Sequence, residues 1–338
     1  MDRLQAAKTT VRNFQAAFDS AGDADLAAVL AANTPDNYFW RGMHPFYEQE
    51  GAAAVADTFW LPLRRSLTSL QRREDIFLAG LNDADGGETL WVVSMGHMMG
   101  LFDSDWIGIP ATHKLAFLRY AEFHRVANDK IVESAFFCDV IGMMRQAGHY
   151  PLPPQTGADF LYPGPRTRDG RLFEAQSTDA GKKTMALVNR MIADLGALNV
   201  SDAHHCPPEL LAATWHDDMI WYGPCGIGAT YTIPRYQQQH QFPFRRHIKD
   251  KTFNGHVARF AEGNYAGFFG WANLTNTPTG GFLGLPGNEV RADMRVVDIY
   301  RRDGDKLAEN WVLIDLLHYL AMQGLDVLGR LQELRAIR

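Results

Sequence analysis

Two segments of the chain place a carboxylate and a proton-relay group at the end of an alternating apolar pattern. Glu122 and His124 end the first segment, and Asp298 and Tyr300 end the second. The preceding alternate residues are Ala116, Leu118 and Tyr120 in the first and Val290, Ala292, Met294 and Val296 in the second. Alternate strand residues share one face, so both patterns predict a desolvated carboxyl group suited to general-base chemistry. The alternative is that these polar groups lie at a solvent-exposed strand end. The alternation also leaves open which face of each strand lines a cavity.

Two further carboxylates, Asp139 and Asp315, stand where an apolar strand pattern passes into an apolar helix pattern. A carboxylate at this position predicts a helix N-cap or a functional acid or base, and the two roles are compatible. The candidate catalytic residues are Glu122, His124, Asp139, Asp298, Tyr300 and Asp315. The candidate substrate-binding residues are Trp40, His44, Tyr120, Trp221, Tyr222 and Trp311, with a core position favoured for Trp40 and Trp221.

An internal repeat explains why these candidates come in pairs. A shift of 176 residues superposes Arg125–Glu133 on Arg301–Glu309 and Asp139 on Asp315, and a shift of 181 superposes Trp40-Arg-Gly42 on Trp221-Tyr-Gly223. The sequence therefore predicts domain 1 at residues 1–149, a Pro/Gly-rich linker at 150–183 and domain 2 at 184–338. In both copies helical patterns precede strands, which predicts an α+β fold. Asn128-Asp129 and Asp303-Gly304 predict hairpin turns.

The composition narrows the class of protein. The 338 residues are 46 % hydrophobic with a net charge of −6, which argues against a nucleic-acid partner. The three cysteines form no C-x-x-C motif, and the N-terminal pattern is an amphipathic helix and not a signal peptide. No stretch is apolar enough for a membrane span. We expect a cytoplasmic protein without membrane or nucleic-acid partners.

The stretch from Asp129-Lys-Ile-Val-Glu133 to Asp139 and Gly148 resembles the end of SnoaL-like polyketide cyclase domains, which belong to the NTF2-like superfamily. The second copy, with Asp305-Lys-Leu-Ala-Glu-Asn-Trp311 and Asp315, is similar to the same module. The resemblance implies cone-shaped domains, each a bent antiparallel sheet with helices closing an apolar cavity. It also implies cofactor-independent acid/base chemistry in polyketide metabolism, with no metal, on a small apolar or polyketide-like ligand.

By this resemblance Asp315 and Asp139 occupy the position of the family's acid/base aspartate. The family's assisting histidine has His124 as its nearest match in copy one, where copy two has Tyr300, and Ala135 stands where copy two has Trp311. NTF2-like modules commonly pair through their sheets, so the resemblance further implies an intrachain pseudo-dimer with a possible further homo-oligomer.

Three functional hypotheses follow from the sequence. In the first, Asp315 abstracts a proton alpha to a carbonyl group and Tyr300 or Asp298 assists the enolate oxygen, as in an ester cyclase, an intramolecular aldol enzyme or an isomerase. In the second, Asp298, Arg295 and Asp315 open an epoxide, although alternation sends Arg295 and Asp298 to opposite faces. In the third, one or both domains bind an apolar small molecule without catalysis.

Overall fold

The computed structural model describes residues 2–200 and 206–336. The helices are α1 Arg3–Ser20, α2 Leu26–Asn33, α3 Ala52–Val55, α4 Leu61–Ser66, α5 Val140–Gln146, α6 Thr178–Val200, α7 Pro208–Ala212, α8 Ile233–Tyr236, α9 Phe242–His247, α10 Leu316–Met322 and α11 Val327–Ala336. The strands are β1 Phe39–Gly42, β2 Glu48–Glu50, β3 Leu67–Leu81, β4 Leu90–Phe102, β5 Leu115–Ala127, β6 Lys130–Cys138, β7 Trp215–Tyr222, β8 Ala229–Tyr231, β9 Ile248–Phe253, β10 Ala258–Glu262, β11 Tyr265–Phe269, β12 Leu274–Pro278, β13 Ala292–Met294, β14 Val296–Asp303 and β15 Lys306–Ile314.

These elements form two compact units, and each unit is built from more than one segment of the chain. Unit 1 comprises the described residues of Met1–His149, Arg166–Ala175 and Leu328–Arg338, and unit 2 comprises those of Tyr150–Pro165 and Gln176–Val327. The Pro-rich segment after His149 is thus shared between the units, and α6 begins at Thr178.

Each unit contains a six-stranded sheet with the same strand order. The order is β2-β1-β6-β5-β4-β3 in unit 1 and β8-β7-β15-β14-β11-β10 in unit 2. Neighbouring strands are antiparallel except for β1 with β6 and β7 with β15, which are parallel. Unit 2 also contains a separate three-stranded sheet, β13-β12-β9, whose strands lie between β8 and β14 in the sequence.

The element bounds reproduce the repeat. Strands β6 and β15 and helices α5 and α10 are offset by 176 residues, while β2 and β8, α3 and α8, and α4 and α9 are offset by 181. A π-helical turn interrupts the same helix in both units, at Ala56–Trp60 and at Gln237–Gln241. The predicted tandem α+β architecture is therefore confirmed.

The first hairpin turn forms at the predicted Asn128-Asp129, and the second forms one residue later than predicted, at Gly304-Asp305. Asn128 and Asp129 have φ values of 51° and 58°, and Gly304 has a φ of 59°. Positive φ at a two-residue turn matches the right-handed twist of the paired strands. One predicted strand differs: Val290–Arg301 is divided at Arg295 into β13 and β14, because β13 pairs with β12 in the separate sheet.

One face of each sheet is covered by helices, and we call it the inner face. In unit 1, α1 turns Val11, Phe14 and Phe18 inward, and the ring of Phe14 meets His124 edge-on with ring centroids 5.8 Å apart. In unit 2, α6 packs on β10 and β11 and buries Val188 and Met191. The inner face of β5 carries Glu122 and His124.

The segment that links the repeats also protects strand edges. Residues 170–172 hydrogen-bond to Phe77 of β3 in unit 1, where the buried Lys8 ammonium donates to the carbonyls of Leu172 and Glu174 at 2.7 and 3.0 Å. In unit 2, Ala158 pairs with Ala229 of β8. Paired edge strands no longer offer free backbone groups to other chains.

Substitution of the glycine in the Trp-x-Gly motif of each copy tests how tightly the inner face is packed. An added Cβ would lie 2.2 Å from the Trp40 ring at Gly42 and 2.0 Å from the Trp221 ring at Gly223. We expect Gly42→Ala and Gly223→Ala each to lower the free energy of unfolding by about 2 kcal/mol, measured by urea denaturation. In the control Gly196→Ala, no atom lies within 4 Å of the added Cβ, and helix propensity should raise stability by about 0.5–1 kcal/mol. Equal effects at all three positions would contradict the packing argument.

Candidate functional site

Glu122 and Asp298 occupy the same position on the inner faces of the two units. Glu122 lies opposite Phe136 on β6, and Asp298 lies opposite Val312 on β15, the residue that corresponds to Phe136 in the repeat. The two carboxyl groups can therefore be compared directly, because the backbone around them is equivalent.

In unit 1 the carboxyl group is held between two basic side chains. Glu122 Oε2 lies 3.1 Å from Arg72 Nη1 and 3.5 Å from His124 Nε2, and His124 Nδ1 lies 2.7 Å from the Ser134 hydroxyl. Burial favours a raised pKa, but His124 and Arg72 outweigh it, so the pKa of Glu122 is lowered. An ionised, paired carboxylate is a poor proton acceptor, which makes this cluster an unfavourable general base.

A second polar chain crosses the unit 1 sheet next to this cluster. The hydroxyls of Tyr120 and Ser94 are 2.8 Å apart, and Ser94 donates to Glu74 at 2.7 Å. Burial raises the pKa of Glu74 despite the Ser94 hydrogen bond and nearby arginines. Tyr120 is fully buried, so its hydroxyl serves this internal chain and offers no surface to a ligand.

Aromatic side chains fill the rest of the unit 1 inner face. The Phe59 ring lies 5.4 Å from Trp40, 4.8 Å from Phe46 and 4.7 Å from Phe136, between ring centroids. Trp40 is fully buried, in agreement with the core position that the sequence favours. These rings fill the inner face around Phe136, whereas Arg72, the ion-pair partner of Glu122, lines a cavity of about 280 Å3 in unit 1.

In unit 2 the carboxyl group has only neutral hydrogen-bond donors. Tyr300 Oη donates to Asp298 Oδ1 at 3.0 Å, and Asn310 Nδ2 donates to the same oxygen at 3.1 Å. No cation of the described residues forms an ion pair with it. Burial therefore raises the pKa of Asp298 to about 6, although the hydrogen bonds from Asn310 and Tyr300 oppose the change. Burial likewise raises the pKa of Tyr300, so its hydroxyl keeps its proton.

The helices above this cluster are polar where those of unit 1 are apolar. Tyr236, Gln237, His240 and Gln241 stand at the positions of Val55, Ala56, Phe59 and Trp60. Gln241 Nε2 donates to the Tyr236 hydroxyl at 2.6 Å, and Arg245 Nε donates to Gln241 Oε1 at 3.0 Å. Burial raises the pKa of Tyr236 against the hydrogen bond from Gln241, with smaller contributions from Cys206 and the Asp298 charge.

His240 completes this wall. Its ring stacks on Trp221 with centroids 4.1 Å apart and planes 18° apart, and it lies 5.4 Å from Tyr236. Burial and the nearby Arg245 charge lower the pKa of His240 to about 3, so the imidazole is neutral at physiological pH. Trp221 therefore lies on the same face as Asp298 and forms part of the wall next to it.

Sequence reasoning missed Tyr236, His240, Gln241 and Asn310. The signal that could have identified them is the 181-residue repeat itself, because polar residues replace an apolar set at matching positions. Asn310 stands where unit 1 has Ser134 under the 176-residue shift. Each of the two residues contacts the neighbouring strand of its own unit, Ser134 through His124 and Asn310 through the Ile299 carbonyl.

Asp315 and Asp139 cap helices. Asp315 has no exposed surface, accepts a hydrogen bond from the His318 amide at 3.1 Å and lies 3.6 Å from Arg295 Nη1. Asp139 accepts from the Gly142 amide at 2.8 Å. The pairing of β14 with β15 puts Asp298 on the face of Val312, and alternation puts Asp315 on the opposite face. The structure does not bring Asp315 and Asp298 into one cluster.

Three candidate ligand contacts also lie apart from Asp298. Tyr222 and Trp311 stack 5.5 Å apart on the opposite face of the unit 2 sheet, where Trp311 Nε1 donates to the Pro163 carbonyl at 3.0 Å. His44 lies on a loop of unit 1, with its Nδ1 2.8 Å from the Tyr47 hydroxyl.

Several solved structures are similar to parts of this chain. A SnoaL-like polyketide cyclase, so named, from Jannaschia sp. CCS1 is 16 % identical, with 46 % of this chain and 99 % of that chain covered and a TM-score of 0.34. An NTF2-like protein from Burkholderia thailandensis E264 is 21 % identical, with 44 % and 98 % covered and a TM-score of 0.31. A similarly named cyclase from Shewanella denitrificans OS-217 is 15 % identical, with 42 % and 96 % covered and a TM-score of 0.35. No family model and no curated protein matches the sequence.

Each alignment covers nearly the full length of the neighbour and less than half of this chain. The two sheets of equal strand order confirm the predicted tandem α+β domains. This similarity concerns the fold and carries no activity over to this chain. In the described part of the chain, no helix is long and apolar enough to span a bilayer, and the His, Cys, Asp and Glu side chains form no group of three suited to a metal ion.

The contrast between the two carboxyl groups predicts opposite stability effects. The pKa of Asp298 is about 6, above its ordinary value of 3.8. The stability that its proton contributes is complete below pH 3.8 and is lost as the pH rises through 6. We expect Asp298→Asn to raise the free energy of unfolding by roughly 2–3 kcal/mol at pH 7.5 and to have little effect at pH 4.

Glu122→Gln is the matched variant in unit 1. It leaves Arg72 without its buried counter-charge, so we expect a loss of about 3 kcal/mol at pH 7.5. Thermal melts of both variants at pH 4 and pH 7.5 measure the effects. A destabilising effect of Asp298→Asn at pH 7.5 would show that Asp298 is stabilised as a carboxylate.

Proposed function

We propose that unit 2 is an acid/base enzyme that abstracts a proton alpha to the carbonyl group of an apolar small molecule, with Asp298 as the general base. The observation that carries this proposal is the pKa of about 6 at a half-buried carboxyl group whose hydrogen bonds with the described residues come from Tyr300 and Asn310. At a pH near its pKa, a large fraction of the base is ionised and can accept a proton. The carboxylate is also basic enough to remove a proton from carbon.

The proposed step moves one proton and one electron pair. The Asp298 carboxylate takes the proton from the carbon, and the electron pair of the broken C–H bond moves into the carbonyl group to form an enolate. The enolate then attacks a second carbonyl carbon of the same molecule, and the alkoxide oxygen formed there takes the proton back from Asp298. In a β,γ-unsaturated compound the dienolate instead takes that proton at its gamma carbon. The step as written needs no cofactor.

Tyr236 is the proposed donor to the enolate oxygen. Its oxygen accepts from Gln241, and its own hydroxyl hydrogen has no acceptor among the hydrogen bonds of the described residues. The raised pKa of this phenol keeps the proton on the oxygen. A donor held in place before the reaction stabilises developing negative charge without reorganisation.

Unit 1 is proposed to have no catalytic role, because Glu122 is paired with Arg72 and His124 and its pKa is lowered. The alternative of non-catalytic ligand binding applies to both units if no proton transfer occurs. Epoxide opening has less support, because Arg295 contacts Asp315 while Asp298 lies on the opposite face.

The ligand class and the compartment remain proposals. A polyketide-like carbonyl compound fits the chemistry. The buried cysteines Cys138, Cys206 and Cys225 form no disulfide with one another, which is compatible with a reducing cytoplasm. The pairing of the two domains through their sheets stays a prediction.

Hydrogen–deuterium exchange at the alpha carbon of apolar ketones and β-keto esters in D2O tests the proposal. We expect exchange catalysed by the wild-type protein, followed by NMR, to increase with pH through about 6 and then level off. Asp298→Asn should lower the rate about 100-fold or more, because a positioned general base contributes about that factor.

Asp315→Asn is the comparison variant. Asparagine caps a helix as well as aspartate does, and a thermal melt checks that loss of the charge beside Arg295 leaves the protein folded. It should retain exchange within a few-fold. Loss of exchange in Asp315→Asn with retention in Asp298→Asn would move the role to Asp315. Binding of the ketones without exchange by the wild-type protein would favour the non-catalytic alternative.

A further inference from the structure

A pocket of about 160 Å3 lies in unit 2 beside the wall formed by His240. Ile227, Phe282, Leu283 and two prolines supply its apolar surface, and His240 and His247 supply imidazoles. No Asp, Glu, Lys or Arg is among the described residues that line it, and neither Asp298 nor Tyr300 contributes to it. The pocket is therefore separate from the proposed catalytic carboxyl group.

The same space in unit 1 is filled by three aromatic side chains. Phe46 stacks on Trp106 with ring centroids 5.8 Å apart, and it meets Phe59 at 4.8 Å. The repeat places Ile227, His240 and Phe282 at the positions of Phe46, Phe59 and Trp106. Each residue of unit 2 has a smaller or more polar side chain than its counterpart. The pocket is therefore present in unit 2 and filled by side chains at the equivalent place in unit 1.

The backbone around the pocket is adapted to keep it open. Gly281 has a φ of 103°, and a Cβ at this residue would lie 2.6 Å from the His247 ring. Gln155 and Thr156 have their own partners, since Gln155 Oε1 accepts from the Gly226 amide at 3.1 Å and Thr156 donates to the Gln239 carbonyl at 2.6 Å. These two side chains brace the pocket wall.

The polar groups left for a ligand are the two imidazoles and the side-chain amide of Gln239. Neither His240 nor His247 has a side-chain hydrogen bond with the described residues, and His240 Nδ1 is buried without a partner. A neutral imidazole has one donor and one acceptor nitrogen. Since burial and Arg245 hold the pKa of His240 at about 3, this ring does not become a cation under physiological conditions.

We propose that this pocket binds one uncharged single-ring molecule that carries a hydroxyl or carbonyl group, such as a phenol. An apolar cavity of about 150 Å3 accommodates benzene, so a volume of about 160 Å3 fits one six-membered ring. The apolar side chains contact the ring, and an imidazole contacts its polar group. A charged ring would lose its hydration without gaining a counter-ion.

Phenol is the probe for this site. Ligand-observed NMR with the full chain should detect phenol binding with a dissociation constant on the order of 1 mM, which is the range that a ligand of this size reaches. Benzoate should bind at least about tenfold more weakly. Asp298→Asn should leave phenol binding unchanged, so a failure of the proposed catalysis and a failure of this site can be told apart.

Two variants introduce the residues of unit 1 at the equivalent positions of unit 2. Ile227→Phe combined with Phe282→Trp should fill the pocket and weaken phenol binding about tenfold or more, with thermal melts as the control for folding. His240→Phe keeps the ring but removes the imidazole, so phenol binding should weaken several-fold while benzene binding is retained.

No phenol binding to the wild-type protein at about 10 mM would overturn the proposal. Unchanged binding in a folded Ile227→Phe/Phe282→Trp variant would also overturn it. If that variant does not fold, the His240→Phe comparison decides, because equal changes for phenol and benzene would exclude recognition by the imidazole.

Discussion

Burying a carboxyl group on the inner face of a sheet requires either a cation beside it or a proton on it, and the two units meet this requirement differently. In unit 1, Arg72 and His124 keep Glu122 ionised within an internal ion cluster. In unit 2, Tyr300 and Asn310 are neutral, and the pKa of Asp298 rises to about 6. One register position thus carries a stabilising charge in one domain and a titratable acid in the other.

The helices above the inner face follow the same division. The unit 1 helix positions Val55, Phe59 and Trp60 pack with other aromatic side chains and exclude solvent from the sheet. Their unit 2 counterparts Tyr236, His240 and Gln241 hydrogen-bond or stack, and they leave a pocket beside His240. Duplication makes this division physically possible, because one domain can be optimised for packing while the other retains polar groups that are costly to bury.

Much of the fold could be predicted from the sequence because its signals are local. The repeat, the hairpin turns at Asn128-Asp129 and, to within one residue, at Gly304-Asp305, and the strands around Asp298 and Glu122 depend on periodicity and turn residues. Strand β3 was not predicted because its residues Leu67–Leu81 include a charged run, Arg72-Arg-Glu-Asp75, without apolar alternation. Its edge is covered by residues 170–172, which are distant in the sequence.

The candidate site could be predicted only in part. Strand alternation paired Asp298 with Tyr300, and the strand-to-helix transition indicated the N-cap positions of Asp139 and Asp315.

Whether a carboxyl group is paired with a cation depends on contacts between distant strands and helices, such as Arg72 with Glu122 and Tyr236 near Asp298. The sequence by itself determined the duplicated α+β architecture and the positions of the carboxylates. Only the tertiary structure decided which sheet face is enclosed and which carboxyl group holds a raised pKa, because desolvation and pairing arise from neighbours that the chain brings together on folding.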